Sequence, residues 1–116
     1  MTQTYFHVDQ DEDFSPSRPA DGRSEGSYAR RIWTDADAEN PAAVAVWRAT
    51  PGIYSYPARA TDETFVILSG TALCQVGEGE KREIGPGSIV NIAKGETITL
   101  HVHTELRKVA TVIPKP

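Results

Sequence analysis

The chain has 116 residues, of which 39% are hydrophobic, and a net charge of −4 with a pI near 5.3. That length supports one domain with one modest core, and the charge argues against the clustered basic surface that nucleic acid requires. The single cysteine, Cys74, leaves no disulfide within these residues, and no apolar run approaches the ~18 residues that cross a bilayer as a helix.

In chain order, residues 1–27 carry "DQDED", "SPSRP" and "ADGRSEGS" with no visible period. They predict an arm, partly disordered or extended along the domain surface, with Tyr5, Phe6 and Phe14 as anchors. "MTQTYFHVDQDEDFSP" has neither the basic start nor the apolar stretch of a secretion signal, so a cytoplasmic protein is expected. The domain itself is expected over residues 28–116. "YARRIW", Tyr28 to Trp33, predicts a first strand, and Thr34 to Ala43 a connecting loop closed by Asn40-Pro41.

From Ala43 onward the punctuation is regular. "AVAVWRA" predicts a strand that turns at Pro51-Gly52; "IYSYPA" follows, with Pro57 suited to an edge or a bulge. "ETFVILSG", "TALCQV", "KREI", "SIVNIA", "TITLHVH" and "LRKVATVI" complete the series, separated by "GEGE", "GPG" and "KGE". Seven or eight short strands with Gly or Pro between them, and no segment of helical period, imply an all-β antiparallel sandwich or barrel.

Strand alternation then assigns faces. If Ile98 points inward, so do Leu100 and Val102, and the "HVH" pair His101 and His103 points outward, unless a one-residue bulge reverses the parity. Glu63 shares the inward face with Phe65 and Ile67. A carboxylate entering an apolar barrel needs a cation or a raised pKa. Three roles stay open for it: metal ligand, substrate-binding or acid/base carboxylate, and structural partner of a buried cation. Tyr54 and Tyr56 share one parity and are candidates for ligand contact or for core packing. Arg59, in the loop before Glu63, is a candidate partner for it or for an anionic ligand. Of Arg107 and Lys108 one faces inward, and a lysine there would neutralise Glu63. The inward oxygen donors are Glu63, Tyr56 and Asn91, too few and too weak for the imidazole-rich sites of transition metals. No bound metal or other cofactor is expected. Cys74, in an apolar strand without an activating base, reads as a small core or interface residue.

These residues resemble the cupins, small double-sheet β-barrels of the double-stranded β-helix or jelly-roll type. The first cupin motif is G-x5-H-x-H-x3,4-E-x6-G, and Glu63 followed by "TFVILS" and Gly70 fits its second half, whereas Tyr56 and Ala58 occupy the histidine positions. The second is G-x5-P-x-G-x2-H-x3-N. Gly87 and Gly95 keep its frame, with Ala93, Ile98 and Val102 at the Pro, His and Asn positions and Ser88 where the usual "GPGD" turn ends in aspartate. The pieces Trp47, Thr50-Pro51-Gly52, Tyr56, Asp62-Glu63, Gly85 to Gly87, Gly95 and Arg107-Lys108 are similar to the subgroup of ureidoglycine aminohydrolase and ethanolamine-utilisation cupin domains. The resemblance spans about Arg31 to Ile113.

It implies a flexible-armed cupin barrel that pairs as a homodimer through its outer sheet, where Thr64, Val66 and Leu68 lie. It also implies one of two functions. The first is a metal-free module that binds a small polar metabolite or supports a partner, with Tyr54, Tyr56, Arg59 and Lys108 as ligand contacts. The second is an enzyme of the ureidoglycine-aminohydrolase type, or a related lyase or isomerase, with Glu63 as acid/base. Neither nucleic acid nor a membrane is an expected partner.

Overall fold

The computed structural model describes the backbone of Arg18–Pro19 and Ser27–Thr34, and residues 42–114 in full. The described elements are all strands: β1 (Arg18–Pro19), β2 (Ser27–Thr34), β3 (Ala43–Ala49), β4 (Gly52–Tyr56), β5 (Thr61–Ser69), β6 (Ala72–Val76), β7 (Arg82–Ile84), β8 (Ile89–Ile92), β9 (Ile98–Val102) and β10 (Leu106–Pro114). They form two sheets, one of six strands in the order β1-β2-β3-β10-β5-β8 and one of four in the order β4-β9-β6-β7. Every pairing given for them is antiparallel. This is the expected all-β double-sheet barrel. Within the 1–27 arm, the described piece is extended, with Arg18 opposite Tyr28; the rest of the arm, including Tyr5, Phe6 and Phe14, lies outside the described residues, as does most of the Thr34–Ala43 loop.

The strands form where β-branched and aromatic side chains alternate with polar ones, because such side chains pack well on a pleated surface. Their inner residues make one core between the sheets. Trp47 and Ala49 of β3, Phe65 and Ile67 of β5, and Leu106 and Ala110 of β10 face Tyr54 of β4, Ala72 and Cys74 of β6, and Ile98, Leu100 and Val102 of β9. Burying a side chain the size of Leu or Phe contributes about 1.5–3 kcal/mol, so this cluster supplies the main driving force of the barrel. Trp47 and Tyr54 meet edge to face, centroids 5.5 Å apart, the favoured geometry of an aromatic pair.

Two turns and one bulge position the site. At Gly70, φ is +87°, and a Cβ there would overlap the backbone carbonyl of Glu105; only glycine lets the β5–β6 turn pass under the β9–β10 connection. In the Gly85-Pro86-Gly87 turn the Gly85 N–H donates to Ser88 Oγ at 3.0 Å. Serine therefore supplies the side-chain acceptor at the position where the related turn carries aspartate. The β5–β10 register shifts between Arg107 and Lys108: Arg107 faces Ser69, and Lys108 faces Ile67. Leu68 is the extra residue, and Leu68 and Ser69 are both exposed, as expected at a β-bulge.

Candidate functional site

The inner face of β5 begins with Glu63, the only carboxylate among the described residues that lies at 7% exposure inside the barrel. Val112 is its cross-strand neighbour on β10, and Lys108 lies four residues earlier on the same inner face. Its long side chain runs past Phe65 and brings Nζ to 3.5 Å from Glu63 Oε2. Arg59 reaches the other oxygen, Nη2 donating to Oε1 at 2.7 Å. Glu63 is thus held between two cations, one on each oxygen.

The loop that carries Arg59 is clamped by its backbone. The Arg59 N–H donates to the Glu96 carbonyl at 3.1 Å, and its own carbonyl accepts from the Gly95 N–H at 2.8 Å. The Lys94 N–H donates to Asp62 Oδ1 at 2.9 Å. Gly95, at φ +94°, makes this approach possible. The "AKG" turn at Ala93 to Gly95 therefore holds the backbone of Arg59, from which the guanidinium reaches Glu63.

These charges line a cavity of about 230 Å³. Its walls are otherwise mostly carbon: Trp47 and Ala45 of β3, Ile98 and Leu100 of β9, Ala110 and Val112 of β10, with Tyr56 at the end of β4. Arg59 Cζ lies 6.0 Å from the centroid of the Tyr56 ring, at the outer limit of a cation–π contact. Lys108 Nζ lies over two rings, 4.2 Å from the centroid of Phe65 and 4.8 Å from that of Trp47. Burial pushes the Lys108 amine below its ordinary pKa, Glu63 pulls it back up, and nearby Arg59 adds to the depression. Burial wins because the side chain is 9% exposed, and the charged form loses almost all of its hydration. The same burial pushes the Cys74 thiol up, against the opposing pull of Lys108. Cys74 is a buried, weakly reactive core thiol, in line with its sequence pattern.

Glu63, Tyr56, Arg59 and Lys108 are brought together. Tyr54 is not: it is fully buried, does not line this cavity, and its hydroxyl donates to the Thr50 carbonyl at 2.7 Å. Its place is core packing with a satisfied hydroxyl. Asn91, expected inside, is outside, where Thr64 Oγ1 donates to its Oδ1 at 2.7 Å; Val90 and Ile92 take the inward positions of β8. Ala58 is exposed, because β4 ends at Tyr56 and Pro57 breaks the alternation. Of the altered ligand positions, Tyr56 and Ile98 line the cavity and Ala58 does not. Of the last-strand pair it is Lys108, not the half-buried Arg107, that faces Glu63.

The outward parity of the histidines holds. Ile98, Leu100 and Val102 are buried while His101 and His103 are exposed, and β9 pairs without a bulge on both sides. Their rings lie 5.0 Å apart, and His103 Nε2 is 3.2 Å from both carboxylate oxygens of Glu83. Among the described residues no three His, Cys, Asp or Glu side chains group so as to hold a metal.

The residues of this cavity do not fit the transition metal that cupin barrels commonly carry. Among the described residues the only inward carboxylate is already engaged on both oxygens, by Arg59 and Lys108, and the rest of the wall offers carbon and one phenol. A second hollow, of about 520 Å³ between β6, β7 and β8, is rimmed by exposed Glu80, Arg82 and Glu83 and contains no buried charge.

Comparison with known proteins places this geometry. Solved structures that the chain resembles at low identity include the following three. A predicted oxalate decarboxylase from Thermotoga maritima is 18% identical, with a TM-score of 0.74 over 91% of this chain and 97% of that one. KdgF from Halomonas sp. is 14% identical, with a TM-score of 0.70 over 97% and 96%. The EutQ protein of Clostridium difficile is 17% identical, with a TM-score of 0.56 over 72% and 68%. At these identities the likeness shows the fold alone. No curated protein significantly matches the sequence. No helix among the described residues is long and apolar enough to cross a membrane. The family model of the EutQ-like cupin domain matches residues 37–110, more than half of the chain, so the chain belongs to the EutQ-like cupins.

Proposed function

We propose that this cupin is a metal-free module that binds a small polar metabolite in the cavity between Tyr56, Glu63 and Lys108. The observation that carries the reading is the Arg59–Glu63–Lys108 cluster set into an otherwise apolar wall. Pockets for drug-sized ligands run to ~300–1,000 Å³; a cavity of about 230 Å³ suits a metabolite of a few carbons. Apolar walls would exclude water, and a few convergent polar groups would orient the ligand, the usual division of labour in such sites. Glu63 organises the two cations, and Arg59, Lys108 and Tyr56 meet the ligand.

The second reading is an enzyme of the ureidoglycine-aminohydrolase type, or a related lyase or isomerase, with Glu63 as acid/base. Its specific support is the carboxylate–amine couple, Glu63 and Lys108, sharing one cavity wall at 3.5 Å. Both readings are tested on protein purified without a histidine tag. Metal analysis is expected to give far less than one equivalent; one equivalent of Mn, Fe, Ni or Zn that disappears in Glu63→Gln overturns the metal-free reading. Metabolites that bind are then assayed for turnover, and turnover abolished in Glu63→Gln selects the enzyme.

We place the protein in the cytoplasm as a homodimer. The support for pairing is an apolar cross-strand row on the outer face of the larger sheet, Val109 beside Val66 and Val66 beside Ile89, with Ile89 68% and Leu68 38% exposed. Light scattering at micromolar concentration is expected to give twice the 12.7 kDa chain mass, and the single-chain mass would refute the dimer.

A further inference from the structure

We propose that Lys108 is a carbonyl-reacting group, its amine placed to form a reversible imine with a small aldehyde or 2-oxo acid bound in the cavity beside Arg59. The inference rests on the metabolite-binding reading above and names the ligand's chemistry. Lys108 sits on the inner face of β10, on the cavity wall, between the rings of Phe65 and Trp47 and 3.5 Å from the Glu63 carboxylate. Lys81 and Lys94, by contrast, are exposed, so their ammonium groups stay hydrated. Burial favours the uncharged amine, which is the nucleophile, and the depression of the Lys108 pKa has burial as its largest cause.

The neighbours fit the steps of the reaction. The nitrogen lone pair attacks the carbonyl carbon, a C–N bond forms as the C=O π pair moves to oxygen, and Glu63 is placed to carry the first nitrogen proton to that oxygen, giving a carbinolamine. Glu63 then carries the second nitrogen proton to the hydroxyl, whose C–O bond breaks as the C=N bond forms. Loss of water leaves the imine; nothing is oxidised or reduced, and hydrolysis runs the same steps backwards. The carbon walls of Trp47, Ile98 and Leu100 limit the water that drives hydrolysis. Arg59 donates one N–H to Glu63 at 2.7 Å, and a guanidinium has five, so it can also receive the carboxylate of a 2-oxo acid.

The test is reductive trapping on the full chain. Protein is incubated with glyoxylate or pyruvate and cyanoborohydride at neutral pH, and the modified lysines are mapped by peptide mass. Lys108 is expected to be trapped several-fold faster than Lys81 or Lys94, because burial favours its free, nucleophilic amine. Lys108→Arg should abolish the fast adduct. Trapping of Lys108 no faster than of the two exposed lysines overturns the proposal. Parallel melting curves with glycolate and lactate, which keep the carboxylate and lack the carbonyl, separate the two claims. Stabilisation by glyoxylate and glycolate alike, without an adduct, overturns the imine and leaves metabolite binding standing. Neither stabilisation nor adduct with any of the four compounds removes both.

Discussion

Two charged groupings on this barrel contain ordinary side chains in opposite surroundings. Inside, Glu63 joins Arg59 at 2.7 Å and Lys108 at 3.5 Å, with its own side chain 8% exposed. Outside, on the far face of β9, His103 meets Glu83 at 3.2 Å with side chains 37% and 66% exposed, and His101 stacks at a tilt beside it. The outer pair has the residue types of a metal or catalytic site, yet water surrounds it. The inner cluster has no histidine, yet there a lysine's pKa is moved and a carboxylate is fixed from both sides. Placement in or out of water decides what such groups can do, because charge interactions strengthen sharply as the effective dielectric falls, and strand parity decides the placement.

The largest effect should come from removing the inner carboxylate. Glu63→Ala leaves Lys108 and Arg59 facing each other with no counter-ion, and losing one partner of a buried ion pair costs about 3–5 kcal/mol. The lower end, near 3 kcal/mol, is expected, because Lys108 can shed its proton. Chemical denaturation measures it, and a loss under about 1 kcal/mol would put Glu63 on a par with a surface charge. Lys108→Met should cost less, below about 1.5 kcal/mol, since methionine fits the rings of Phe65 and Trp47 and Glu63 keeps Arg59. Equal losses for Glu63→Ala and Lys108→Met would mean that Arg59 does not hold the carboxylate.

The same lysine predicts a pH dependence. Its folded pKa lies below the ordinary 10.5, so between the two values the unfolded chain binds a proton that the folded chain does not. Stability should therefore rise with pH through that window and level off above 10.5. Cys74 acts in the opposite direction: its folded pKa lies above 9.0, so its contribution is lost as pH rises past that value. The difference between wild type and Lys108→Met isolates the lysine, and a flat or falling difference would show that Lys108 stays an ammonium ion. The smallest effect belongs to the outer pair. His103→Ala should change stability by only about 0.2–1 kcal/mol, as exposed pairs do, and a larger loss would mean that the face is covered.

Much of the fold was legible because period-two alternation and Gly/Pro punctuation survive without tertiary information. The seven or eight strands expected from Ala43 onward are the eight strands β3 to β10, and the outward histidines follow from strand parity once Ile98 points inward. The site was legible in part. Glu63 announced itself as the lone acid on an apolar face. Arg107 and Lys108 were not separable, because their register against β5 passes through a bulge at Leu68 that no local pattern marks. Tyr54 and Tyr56 share a parity, yet one is sealed in the core and the other lies at the strand end; depth along a barrel has no sequence period. Asn91, expected inward, is turned out by the alternation of β8, and Ala58, at a histidine position of the motif, lies past the end of β4 and is exposed.

The central claim is that the Arg59–Glu63–Lys108 cavity binds a small metabolite without a metal. It is tested most directly by melting curves of tag-free protein against a panel of small carboxylates and carbonyl compounds, with and without a chelator. The account predicts that at least one compound raises Tm equally in both conditions and that Lys108→Met weakens the rise. A rise that vanishes with chelator and returns on adding Mn, Fe or Zn would contradict it.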